Sequence, residues 1–114
     1  MQTGTTTSLG QESVAHILSD LGHSVRQEVW IEELGLTVDI LVSGHPQPII
    51  VEVDGPSHFI TCVHTNTRTP NGPTLLRDRI VLQSGKFVLL KIPFYEWDSL
   101  NHGSRTIYIQ THLS

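Results

Sequence analysis

Apolar residues recur at helical spacing near the start of the chain. Val14, Ile17, Leu18 and Leu21 share one face of a helix over 9–21. Ser8 and Gln11 have capping-box spacing at its start, and Gly22 supplies its stop. The period then shortens. Three strand-like runs follow, over 24–31, 36–42 and 48–54, with turn signals at 33–35 and 43–46 between them. These connections are short enough for antiparallel neighbours. Residues 55–72, rich in Thr, Pro, Asn and Gly, predict a long loop, and a loop of that length in a small domain is expected to be functional or mobile. Pro73 suits the first position of a second helix over 73–84, which Gly85 ends. Residues 86–92 read as a buried strand, and Pro93 opens a helical turn through Leu100. Residues 105–114 fit strand or helix, and the pattern leaves both open.

The order α-β-β-β-α-β with a helical tail predicts an α/β fold, a mixed sheet flanked by helices. The 114 residues predict one domain over 1–114. With 38% hydrophobic and 16% charged residues, the chain is unlike a disordered tail, a collagen or a charged coiled coil. Its single cysteine, Cys62, excludes an intrachain disulfide. Its apolar runs fall far short of the roughly 20 residues that cross a bilayer, so no membrane partner is expected. The first ten residues match neither a secretory signal nor an Arg-rich transit peptide.

Charge changes the picture more than composition does. The net charge is −4, but it is divided along the chain. Residues 1–60 hold eight acids and one base (−7), residues 61–91 five bases and one acid (+4), and the rest contribute −1. This permits a local basic patch and argues against a large electrostatic footprint on nucleic acid. Glu52 and Asp54 stand two apart on the third strand and share a face, Cα atoms roughly 7 Å apart. If the second strand pairs with the third, Asp39 joins them, and three carboxylates converge at the sheet edge.

Val38-Asp39-Ile40, the block Glu52-Val53-Asp54-Gly55-Pro56-Ser57-His58-Phe59, Leu75-Leu76-Arg77-Asp78-Arg79 and Pro93-Phe94-Tyr95-Glu96-Trp97 resemble the RAP domain. This is an RNA-binding domain abundant in apicomplexans and found at the C-terminus of FAST-kinase-domain proteins. The likeness covers about 37–100. It implies a restriction-endonuclease-like αβββαβ core related to the PD-(D/E)XK nucleases. It also implies a role in mitochondrial RNA processing or ribosome biogenesis, with organellar rRNA or mRNA and ribosomal or RNA-processing proteins as partners.

In the nuclease pattern an Asp on the second strand and an acid on the third hold Mg²⁺, and a Lys two residues later serves the attacking water. Asp39 and Glu52 match the first two positions, as metal ligands if Mg²⁺ is bound. The third is Asp54, an acid that cannot neutralise charge developing on a phosphate. His58 is the candidate substitute base, so an active site would comprise Asp39, Glu52, Asp54 and His58. Arg68, Arg77, Arg79 and Lys86 are the candidate RNA contacts. A helical wheel anchored on Leu75, Leu76, Ile80 and Leu82 turns Arg79 toward the sheet and Arg77 away from it. Trp97 and Trp30 are expected in the core, and Phe94 and Tyr95 are alternative base-stacking groups. His58 with His64 is a weaker metal pair. His16, His23, His45, His102 and His112 are expected to be solvated. Three functions follow: RNA binding on a degenerate nuclease site, a Mg²⁺-dependent endoribonuclease, or an architectural subunit of a ribonucleoprotein such as a mitochondrial ribosome.

Overall fold

The computed structural model describes residues 9–55, 59–62, 67–70 and 72–113. The elements in order are α1 (Leu9–Asp20), β1 (Ser24–Ile31), β2 (Leu36–Ser43), β3 (Ile49–Asp54), β4 (Phe59–Cys62) and β5 (Thr67–Pro70). They continue with α2 (Gly72–Ser84), β6 (Val88–Pro93), α3 (Phe94–Asp98) and α4 (His102–Leu113). Four strands form a sheet in the order β1-β2-β3-β6. β1, β2 and β3 pair antiparallel, and β6 joins β3 in parallel after the crossover through α2. The mixed α/β core is as the sequence predicts.

α1 stops at Gly22, whose φ is +93°. The bonds His23 N–H to Leu18 O and Gly22 N–H to Ser19 O complete a Schellman cap. Val14, Leu18, Ile40, Val42, Val51, Ile92, Trp97 and Ile109 build the larger core between one face of the sheet and α1, α3 and α4. The other face, with Val29, Ile31, Val38, Leu41 and Ile50, packs against Val81 of α2.

Two expectations need correction or completion. The loop expected over 55–72 contains a hairpin: β4 and β5 pair antiparallel, Phe59 opposite Pro70 and Cys62 opposite Thr67. The β-branched residues Ile60, Thr61, Thr67 and Thr69 favour extended backbone, against the Pro, Asn and Gly that dominate the segment. The C-terminal stretch is the helix α4. Asn101 Oδ1 accepts the Ser104 N–H at 2.8 Å and caps its start, which settles the choice between strand and helix.

The β1–β2 hairpin turns over halfway along its length. Val25, Ile40 and Val42 pack on the α1 side, whereas Val29, Ile31, Val38 and Leu36 pack on the α2 side. The inversion falls at Glu28, which has a φ of 53°, and at Asp39 opposite it in the ladder. Left-handed backbone is uncommon outside glycine, so the bend is specified. Buried Gln11 of α1 lies beneath it, its Nε2 2.9 Å from Glu28 Oε2 and 3.2 Å from Asp39 O. Beyond the bend, Leu34 and Leu36 of the hairpin, like Phe87 and Leu89, pack against this second core.

Candidate functional site

The same bend opens the sheet between β2 and β3. Their last paired residues are Ile40 and Val51, and one further step would set Asp39 opposite Glu52. Side chains take over from the ladder at that point. The Asp39 N–H donates to Glu52 Oε2 at 2.9 Å, and the Val53 N–H donates to Asp39 Oδ2 at 3.0 Å. Each carboxylate thus satisfies a backbone donor that strand separation would leave orphaned. β3 is buried along its whole length, with Glu52 6% and Asp54 2% exposed.

Such burial demands partners. Arg77 of α2 supplies the first, its Nη2 3.1 Å from Glu52 Oε1 and 2.6 Å from Thr37 O. Lys91 supplies the second. It is the β6 neighbour of Glu52, and its Nζ lies 2.9 Å from Asp54 Oδ2 and 2.8 Å from Asp78 Oδ2. Four acids therefore meet two cations in one layer between the sheet and α2. Burial pushes the Glu52 carboxyl up to about 7, and the Asp39 charge adds to it, against the Asp39 N–H and Arg77. For Lys91 burial pulls downward, but its contacts with Asp78 and Asp54 outweigh that and hold the ammonium above its ordinary value.

The structure brings Asp39, Glu52 and Asp54 together, as their spacing implies. It reverses the expected phase of α2. Arg79 is exposed and Arg77 faces the carboxylates, because the inner face of α2 is Thr74, Arg77, Asp78 and Val81. Leu75, Leu76 and Leu82, expected inside, are 51–61% exposed. Lys86 lies at the far end of α2 and binds Glu33 of the hairpin turn at 2.7 Å. His58 and His64 lie outside the described residues, and of Arg68 only the backbone, in β5, is described.

Lys91 is the site residue that sequence reasoning missed. Its signal was there: a lone charge inside the apolar run 87–92 is costly unless paired. Trp97 is in the core at 1% exposure, with the Arg105 guanidinium 5.0 Å from its ring centre. Trp30, expected in the core, is 61% exposed, since its neighbours Val29 and Ile31 take the inward positions. His23 and His45, expected to be solvated, stack on each other with Nδ1 and Nε2 3.3 Å apart.

Among the described residues, no group of three or more His, Cys, Asp or Glu side chains is arranged to hold a metal ion. The carboxylates themselves explain this. One oxygen of Asp39, both of Glu52 and one of Asp54 already accept from an N–H or an ammonium. A divalent ion would have to displace Arg77 or Lys91, so the site as folded does not fit Mg²⁺.

The family model of the RAP domain matches residues 51–112, more than half of the chain, from the middle of β3 into α4. Neither a curated protein nor a solved structure gives a significant match.

Proposed function

We propose that this chain, which belongs to the RAP domain family, binds RNA over the outer rim of α2. The family match carries this reading, because it spans the basic part of the chain and both site cations, Arg77 and Lys91. Arg79 is exposed on α2, and the Arg77 side chain is 41% exposed at the mouth of the carboxylate layer. Guanidinium groups so placed suit phosphate oxygens. The buried carboxylate layer beneath fixes Arg77 in place, and RNA bound over it is held and not cut. The resemblance to the family further suggests mitochondrial RNA processing or ribosome assembly as the setting, with rRNA or mRNA bound and ribosomal or processing proteins nearby.

The test is a salt titration of RNA affinity. Arg79→Glu leaves every described ion pair intact, so lost affinity reports a lost phosphate contact. The expected result is uniform weakening across RNA sequences and a salt slope reduced by about 1. Unchanged affinity and slope in Arg79→Glu and in Arg77→Glu would remove the α2 rim as the RNA surface.

A further inference from the structure

On the opposite side of the molecule an aromatic side chain stands among acids. Trp30 is 61% exposed on β1, one of the two edge strands of the four-stranded sheet. Glu28 and Glu32, two residues before and after it, are both exposed. Past the bend Val29 and Ile31 face α2, so Trp30 projects to the α1 side, where Glu28 also reaches Gln11. A cleft of about 390 Å³ continues along that side between α1 and β1, lined by Glu12, His16, Ser19, Val25 and Gln27 among others. The one Lys or Arg of the two elements, Arg26, alternates to the other face from Val25 and Gln27, and His16 of α1 lies 3.2 Å from Asp20. Glu33, the third acid of the hairpin end, is already paired with Lys86.

We propose that this edge docks a basic, extended segment of a protein partner, an Arg or Lys of which stacks on Trp30 between Glu28 and Glu32. Three features select that chemistry. An indole face attracts a cation, and most strongly a guanidinium. Carboxylates on either side bind the same cation and repel RNA phosphates, which separates this surface from the α2 rim. An edge strand offers its backbone to an added strand, whose alternate residues would fall beside Trp30 and the Glu12 cleft. Exposed tryptophan is also the residue type most enriched among energetic anchors of protein interfaces.

The probe is the synthetic peptide Arg-Val-Arg-Val-Arg, titrated into the full chain with acrylamide quenching of tryptophan fluorescence as the readout. Buried Trp97 contributes little to the quenching, so the signal is that of Trp30. Saturable binding that halves the quenching or more is expected. Trp30→Ala removes that reporter, so the variants are read by the anisotropy of the same peptide carrying a fluorescein. Trp30→Ala keeps the net charge and should weaken binding at least tenfold. Glu28→Gln with Glu32→Gln should weaken it at least fivefold, and Glu96→Gln, on α3, less than twofold. If Trp30→Ala binds like the wild type, the attraction is net charge alone and the proposal fails. It fails equally if the peptide does not bind, or if oligouridine shields Trp30 and the peptide does not.

Discussion

Glu52 accepts a backbone N–H with one oxygen and Arg77 with the other, yet it is buried beside Asp39 and Asp54. Its carboxyl is raised from 4.5 to about 7, so the folded chain holds a proton that the unfolded chain releases. The stabilising contribution is therefore complete below pH 4.5 and is lost as pH rises through about 7. Urea unfolding should show stability falling by roughly 2–3 kcal/mol across that window, on top of other titrations. Glu52→Gln should flatten that part of the profile, and an unchanged slope would mean the carboxyl is not destabilised by burial. Arg77→Ala should act on the same group. At pH 8 it leaves a buried charge with less compensation, at a cost of about 1–2 kcal/mol. At pH 5 Glu52 is protonated and the cost should be smaller, a difference that the same unfolding curves would report.

The elements differ in how far the sequence reveals them. α1, β1, β2 and β3 are legible because their apolar residues follow the core they face, with period 3.6 or 2. α2 misleads for a physical reason. Its inner face carries Arg77 and Asp78 toward a polar layer, while its leucines point outward, so apolar phase gives the wrong orientation. The carboxylates could be placed from strand alternation alone, but Lys91 enters from a neighbouring strand whose register no local pattern fixes. The bend in the hairpin is equally silent, since Glu28 is not a residue that announces left-handed backbone. Its role can be tested directly. Glu28→Val forces a β-branched side chain into that conformation and should destabilise by about 1–2 kcal/mol in thermal or chemical unfolding. Glu28→Asn, which tolerates it, should stay within about 0.5 kcal/mol of the wild type. Equal effects of the two would show that the bend does not depend on position 28.

At the scale of the molecule, two surfaces of opposite character lie on the two sides of one thin sheet, and the buried charge layer faces only one of them. That layer decides the chemistry. Hydrolysis of RNA needs a metal or a cation free to stabilise the attacked phosphate, along with a water held in line. Here Lys91 is held by Asp54 and Asp78, and Arg77 by Glu52 and Thr37, so the cations neutralise carboxylates of the fold. They occupy carboxylate oxygens that a bound divalent ion would need. Millimolar Mg²⁺ should therefore leave the thermal midpoint of the wild type within about 1 °C. Removing both cations, in Arg77→Ala with Lys91→Ala, should lower stability and make it depend on Mg²⁺. A midpoint gain of about 5 °C corresponds to roughly 1 kcal/mol of binding linkage in a chain of this size. Should the double variant not fold, Arg77→Ala alone leaves both Lys91 contacts in place and should still show a smaller gain. A Mg²⁺ response in the wild type, or RNA cleavage that requires Mg²⁺ and disappears in Glu52→Ala, would instead identify the layer as a working metal site. In that case both cations must leave the carboxylates during turnover, and replacing Lys91 should change the rate more than the affinity for RNA.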